Sequence, residues 1–462
     1  VIALAPRFPP SDGSSVPSRR LSRLARLGGM AAGVAGGMLL DGASRFARGE
    51  RPRLEDLLMT PANVLKVTGQ LAHLRGAAMK MGQLISMEAG EFLPPELSAI
   101  MARLRADAEP MPRHQIQAVL DRAWGPGWAS RFETFSFRPI AAASIGQVHR
   151  VITKDGRDLA VKIQYPGIRR SIDSDVDNVA TLLRLSGMVP RHLDIAPLLG
   201  EAKRQLHEEA DYAREADCLE RFAALLGDDP DFLLPDVHRD LSGDTILAMT
   251  YIASVPIETL ERAPQEERDR AARLLLDLAF RELFDFQLMQ TDPNLANFRY
   301  QPETRRIVLL DFGATRAFSP SFAEACRALA AAGLADDRPG VHAALTAIGL
   351  IDETVPQRHQ DKVMAMFDRA KAPLLQSDVF DFGDTRFLHD LREQGMNFAS
   401  DRDGWRLPPN DALFLQRKFG GTYLLASRLK ARLDVKALLS PYLRSSEMTA
   451  GNGATIRFGD DC

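Results

Sequence analysis

MQTDPNLANFRYQPETRRIVLLDFGAT, residues 289–315, decides how the rest of the chain is read. Asp292 is followed five residues on by Asn297, and Asp311 comes fourteen residues later, inside Leu309-Leu310-Asp311-Phe312-Gly313. Ile307 to Leu310 is an apolar run with β-branched members, long enough for a buried strand with Asp311 at its end. The plainer alternative is that Asp-Pro-Asn is good turn chemistry and that Asp-Phe-Gly arises by chance. The chain holds a second copy at Asp381, Phe382 and Gly383, behind Ser377-Asp378-Val379-Phe380 rather than a fully apolar strand. That copy has no Asp-x-x-x-x-Asn upstream at the right distance, so it reads as a decoy.

The spacing of the first copy is that of a protein-kinase catalytic loop, a short hairpin and a metal-binding Asp-Phe-Gly. In that chemistry Asp292 orients or deprotonates an attacking hydroxyl or water. Asn297 and Asp311 offer oxygen ligands to magnesium bridging the phosphates of ATP.

Upstream, Phe132 to Gln164 reads as three strands, with a Lys154-Asp155-Gly156-Arg157 turn before the strand that holds Ala160-Val161-Lys162. Kinases place Gly-x-Gly-x-x-Gly-x-Val and then Ala-x-Lys in this order. Here Ala141 and Ala143 occupy the first two glycine positions, Ser144 follows, and Gly146 and Val148 fit. Each alanine Cβ restricts access to φ > 0, so this loop should be stiffer and hold phosphates differently. Lys162 would place a point charge on the α and β phosphates; the bland alternative is a hairpin with a surface lysine.

Asp194 to Leu226 reads as one long helix, and in a kinase-like lobe one of its acids pairs with Lys162. Glu209 is the choice among them. Phe232 to Val237 and Thr245 to Ile252 are expected to complete an antiparallel small-lobe sheet. The connector that follows, Tyr251 and Ile252 first, would offer backbone groups to adenine. An apolar helix over Arg270–Gln290 leads into the catalytic loop, and beyond Pro320 the pattern is mainly helical to about Leu443. No Ala-Pro-Glu anchor follows Asp311 before the next helix, so a platform for a protein substrate is not expected.

With 462 residues and 45% hydrophobic content, the chain can bury a large core in more than one lobe. A net charge of −3 argues against general nucleic-acid binding. Cys218, Cys326 and Cys462 are widely spaced and suggest neither a disulfide framework nor a zinc site, which fits a reducing compartment. Arginine outnumbers lysine 48 to 10, a bias of GC-rich genomes, and points to a bacterial origin.

Residues 1–20 are rich in Pro, Ser and Gly and read as disordered. From Arg19 to Arg53 there are eight arginines against Asp41 and Glu50, flanking an uncharged run from Leu27 to Leu40. Those fourteen residues span only ~21 Å as a helix, short of the ~30 Å bilayer core. The expectation is peripheral docking on anionic headgroups; a basic tail and an organelle transit peptide are the alternatives. Residues 55–108 read as helices ending in GAAMKMGQLISMEAG, with Lys80 and Gln83 on one face.

Four motifs now stand in order: KMGQ at 80–83, AAASIGQVH at 141–149, EADYAREA at 209–216, and TDPNLANF with LLDFGAT. Together, over roughly residues 55–440, they resemble the UbiB/ADCK/AarF family of atypical kinase-like proteins. The Gln-Thr-Asp-Pro-Asn wording and the Lys-Phe-Gly-Gly-Thr-Tyr run at 418–423 look most like the mitochondrial coenzyme Q branch and its alphaproteobacterial relatives. The match to UbiB itself is looser, since that branch usually reads His-Ala-Asp-Pro-His-Pro-Gly-Asn and carries C-terminal membrane helices.

The resemblance implies an α+β, two-lobed, atypical protein-kinase-like fold with an N-terminal helical extension. Its divisions would be a basic tail at 1–54, the Lys-x-Gly-Gln extension at 55–130, an N-lobe at 131–255, a C-lobe at 256–443 and a tail at 444–462. It implies ATP and Mg2+ as cofactors, with slow hydrolysis supporting ubiquinone biosynthesis at a membrane. By the same resemblance Lys80 and Gln83 reach the active site, Asp292 is the catalytic aspartate, Asn297 and Asp311 bind metal, and Lys162 pairs with Glu209. The implied partners are ubiquinone-precursor lipids or the ubiquinone biosynthetic complex, with a homodimer left open. The expected place is the bacterial cytoplasm, peripheral on the inner membrane, or the mitochondrial matrix side in a eukaryote. A small-molecule or protein kinase and a nucleotide-gated scaffold for a lipid-biosynthetic complex are the rival functions.

Overall fold

The computed structural model describes residues 110–143, 145–185, 196–292, 294–384, 386–387 and 408–443. The basic N-terminal segment, the helix of Lys80 and Gln83, Ser144 and the C-terminal tail lie outside those residues. Of the described residues, 110–213 with 236–251 form one compact unit, and 214–235 with 252–443 form a second.

The first unit opens with α1 (Arg113–Trp124), which buries Ile116, Val119 and Leu120 at helical spacing. Then come β1 (Phe132–Phe135), β2 (Ala141–Ala142), β3 (Gly146–Thr153) and β4 (Asp158–Gln164). The expected turn joins β3 to β4: Gly156 takes φ 87°, a conformation that costs glycine little, and its N–H donates to the Thr153 carbonyl at 3.0 Å. Val151, Leu159, Val161 and Ile163 from the two strands pack with Leu120, Trp128 and Phe132 into the unit's core.

α2 (Ile168–Leu185) and α3 (Ala196–Glu209) follow and pack on each other. The long helix expected over Asp194–Leu226 is two helices, because α4 (Tyr212–Leu226) starts after a break at Ala210 and Asp211. The cause lies in the sheet. The buried Gln164 side chain donates from Nε2 to the Ala210 carbonyl at 2.9 Å, taking an acceptor at the end of α3.

A second correction concerns β5 (Phe232–Leu233). It does not join the small antiparallel sheet but belongs to the second unit, parallel to a later strand; only the end of the expected segment reaches the small sheet, where Val237 bridges Met249. Acids just before it are tied down there: Asp229 pairs with Arg281 at 2.6 Å and Asp231 with Arg270. β6 (Ile246–Thr250) does complete the first unit's sheet, which is antiparallel in the order β1-β3-β4-β6, with β2 alongside β3.

The second unit continues with β7 (Val255–Pro256) and the largely buried α5 (Gln265–Phe284), shorter than the Arg270–Gln290 helix expected at its C-terminal end. Gln287 takes φ 51°, and the chain leaves the helix for β8 (Leu288–Gln290). β9 (Phe298–Gln301) and β10 (Arg306–Leu309) form the expected hairpin, and the sheet order is β5-β10-β9-β7. β11 (Thr315–Ala317) pairs back with β8. The rest is mainly helical, as expected: α6 (Pro320–Leu334), α7 (Arg338–Ile348) and α8 (Gln357–Gln376). β12 (Phe380–Asp381), α9 (Asn410–Arg428), β13 (Arg432–Leu433) and α10 (Val435–Leu439) close the described chain. No helix among the described residues is long and apolar enough to cross a membrane.

Candidate functional site

The predicted catalytic residues of the second unit share one frame. β8 and β11 pair Gln290 with Thr315, which sets the segment after Gln290 beside the segment after Asp311. The Thr291 hydroxyl donates to the Ala314 carbonyl at 2.7 Å. Gln290 is buried, and its Nε2 donates both to the Asp292 carbonyl at 2.9 Å and to the Asp311 carbonyl at 3.3 Å. One amide thus spans the two acids that the sequence places nineteen residues apart.

Asn297 lies at the end of a short 3-10 turn, Leu295–Asn297, capped by the Asn294 side chain. Its Nδ2 donates to Asp292 Oδ2 at 3.3 Å and faces the Asp292 carbonyl at 3.4 Å. An amide that spends its nitrogen this way keeps its carbonyl oxygen for a cation. Asp311 takes φ 63°, uncommon for a residue with a Cβ though tolerated by Asp, and its Oδ1 accepts from the Gly313 N–H at 3.2 Å. Asn297 and Asp311 are oxygen donors of the kind hard cations take, and a phosphate-bound magnesium needs only one or two carboxylates from the protein. Among the described residues no group of three or more His, Cys, Asp or Glu side chains is arranged to hold a metal by itself.

Several residues of this frame went unassigned at the sequence level. Arg214, on α4, donates to the Gly313 and Thr315 carbonyls and clamps the turn after Asp311. Its neighbour Glu215 is buried, and a Cβ on Gly313 would lie 3.6 Å from Glu215 Oε2. Glu209, chosen from the same EADYAREA motif, ends α3 partly buried. Glu282 and Lys418 form a buried ion pair at 2.6 Å under the loop. Burial pushes the Glu282 carboxyl up, against the pull of the Lys418 ammonium and a backbone hydrogen bond with Gln290. Arg417 Nη2 lies 3.4 Å from Asp292 Oδ1. The one sequence signal near them was the Lys-Phe-Gly-Gly-Thr-Tyr run, which opens at Lys418, next to Arg417.

In the first unit the alanine-rich stretch is one arm of a hairpin. Ala141 pairs with Val148 and Ala142 with Gln147, and the Ala143 N–H donates to the Gly146 carbonyl at 2.9 Å. Ile145 is buried, and its carbonyl accepts from the Tyr165 N–H at 2.9 Å, which pins the entry to β3. Lys162 lies across from Val148 and Leu247 and is buried, with Nζ 5.1 Å from the centre of the Tyr212 ring. That environment sets aside the surface-lysine alternative. Tyr251 commits its N–H to the Asp158 carbonyl at 2.8 Å and its ring to Arg150, and at Ile252 the chain returns to the second unit. In the second Asp-Phe-Gly, Asp381 ends β12 with an exposed carboxylate and Phe382 is buried: Asp381 accepts from Gly383 N–H at 2.8 Å and pairs with Arg432 at 3.2 Å.

The chain is similar to known proteins. The ABC1 atypical kinase-like domain matches residues 103–345. The chain is 36% identical to the atypical kinase COQ8, mitochondrial, of Saccharomyces cerevisiae over 92% of its own length and 85% of that protein's. It is also 36% identical to the rat atypical kinase COQ8B, mitochondrial, over 94% and 83% of the two chains. Among solved structures, Mycobacterium tuberculosis Rv3197 in complex with erythromycin is similar, with a TM-score of 0.57 and 28% identity over 83% of this chain and 96% of that one.

Proposed function

The chain belongs to the ABC1 atypical kinase-like family, and from that membership we propose that it binds Mg-ATP and hydrolyses it slowly in support of ubiquinone biosynthesis at a membrane. The observation that carries this reading is the Gln290 bridge, which holds Asp292 and Asp311 in register beside Asn297. Asn297 Oδ1 and the Asp311 carboxylate would hold magnesium. The cation would supply charge neutralisation on the transferring phosphoryl group. Asp292 orients the attacking water and can take its proton; Lys162, by the family resemblance, would supply its ammonium to the phosphates. Lys80 and Gln83 belong to the same site in this proposal, by the family resemblance.

Hydrolysis is favoured over transfer to a protein by the short passage after Asp311. β11 ends at Ala317 and α6 begins at Pro320, which leaves little chain for a peptide to lie along. The ubiquinone assignment rests on the COQ8 relatives, and docking of residues 19–53 on anionic lipid belongs to the same proposal. The test combines ATP turnover by the purified chain with quinone content in a deletion strain carrying it. Magnesium-dependent phosphate release and restored quinone are expected. Label transfer to an added acceptor in place of phosphate release would turn the reading towards a kinase. Nucleotide binding without turnover would turn it towards a scaffold.

A further inference from the structure

The four residues between Asp292 and Asn297 are Pro293, Asn294, Leu295 and Ala296, so the catalytic loop supplies no cation of its own. A cation nevertheless faces the catalytic carboxylate, and it comes from a helix 125 residues further on. Arg417 Nη2 lies 3.4 Å from Asp292 Oδ1, while Asn297 Nδ2 lies 3.3 Å from Oδ2. The Arg417 side chain is 2% exposed and that of Asp292 16%. Desolvating a guanidinium costs several kcal/mol, which a neutral side chain in the same place would not.

The helix is held so that this charge cannot drift. Lys418, the next residue, is locked to Glu282 of α5, and Phe419 packs against Phe280 of the same helix with ring centroids 5.6 Å apart and the rings tilted by 36°. One turn earlier Phe414 packs under the Arg316 guanidinium at 4.7 Å. Each oxygen of a carboxylate has two lone pairs, so one contact per oxygen fixes the plane of the Asp292 carboxylate and leaves acceptor capacity for a nucleophile.

We propose that Arg417 is the positioning residue for Asp292: α9 sets the orientation of the catalytic carboxylate and so sets turnover rather than nucleotide affinity. The proposal rests on the Mg-ATP reading above and goes beyond it. The 3.4 Å contact is longer than a tight charge-assisted hydrogen bond, as expected for a site whose geometry tightens when substrate binds.

The experiment measures kcat and KM for ATP, and the rise in Tm on adding Mg-ADP, for wild type, Arg417→Gln, Arg417→Lys, Asp292→Asn and Asp292→Asn/Arg417→Gln. Arg428→Gln, which removes an exposed partner of Glu261 near the end of the same helix, is the control and should stay within twofold of wild type. Arg417→Gln should lower kcat at least tenfold with KM and the Mg-ADP shift unchanged, and Arg417→Lys should recover part of kcat. Because Arg417 acts through Asp292, the double variant should be no slower than Asp292→Asn alone. The double variant also removes both facing charges, so it reports even if Arg417→Gln fails to fold.

Wild-type kcat in Arg417→Gln would overturn the proposal, as would parallel losses of kcat and nucleotide binding or a double variant slower by the full product of the two single effects. A wild-type chain without magnesium-dependent turnover would overturn the Mg-ATP reading itself, and this inference with it.

Discussion

Gly146 is the glycine that the alanine-rich loop keeps, and the structure says what replacing it should do. A Cβ at this position would lie 2.5 Å from the Ile163 carbonyl oxygen and 2.7 Å from the Tyr212 hydroxyl. Both are closer than real Cβ contacts, and the nearer atom is main chain in a paired strand, so the strand must move. Overpacking of this kind costs ~1–3 kcal/mol, and two simultaneous contacts place Gly146→Ala near the upper end. At roughly 3–5 °C per kcal/mol for a unit of this size, Tm should fall by about 10 °C. Gly243→Ala is the control: a Cβ there meets nothing within 4 Å, so its effect should stay within ~0.5 kcal/mol. Tyr212→Phe relieves one of the two contacts, so Gly146→Ala/Tyr212→Phe should recover less than half of the loss. Urea and thermal unfolding of the four variants supply the comparison. If Gly146→Ala were as stable as Gly243→Ala, β3 would not lie against Ile163 as described, and the account of the pinned loop would fail with it.

Three further outcomes are expected. Mg-ADP at ~100 times its Kd should add ~2.7 kcal/mol of stability to wild type, little to Asp311→Asn, and the wild-type amount to Asp381→Asn, because the Asp381 carboxylate is exposed and engaged with Arg432; equal behaviour of the two variants in a thermal-shift assay would refute the choice between the copies. His149 donates from Nδ1 to the Ser136 carbonyl at 2.7 Å and accepts at Nε2 from Gln147 at 2.8 Å, and burial holds its pKa below the usual histidine value of 6.5. The unfolded chain therefore binds the proton first, so this contribution to stability is full above pH ~6.5 and is lost as pH falls through the lowered folded value; urea midpoints should show that decline and His149→Gln should flatten it. Lys418→Met leaves Glu282 buried without its partner and should cost ~3–5 kcal/mol, whereas Glu282→Gln/Lys418→Met should recover most of it; a double variant as unstable as the single one would mean that charge is not the cause.

Much of the fold was legible because its elements announce themselves locally. The β-branched run before Asp311, the Asp-Gly turn after β3 and the Asp-x-x-x-x-Asn spacing each determine structure within a dozen residues. What escaped depends on contacts made across long separations. The break between α3 and α4 follows from Gln164 reaching Ala210, and no periodicity within residues 194–226 could register it. β5 has the composition of any short strand, and its sheet is chosen by ion pairs with α5 about forty to fifty residues away. The site divides along the same line. Asp292, Asn297 and Asp311 were readable because phosphoryl transfer fixes their types and spacing. Gln290, Arg214 and Arg417 were not, because an amide or guanidinium that orients another side chain is constrained only by where the fold delivers it. The residues to which the proposal assigns the chemistry therefore lie in one short stretch, with Gln290 among them, while Arg214 and Arg417 are delivered from α4 and α9. A substitution far from residues 289–315 can then change turnover while every motif in that stretch stays intact.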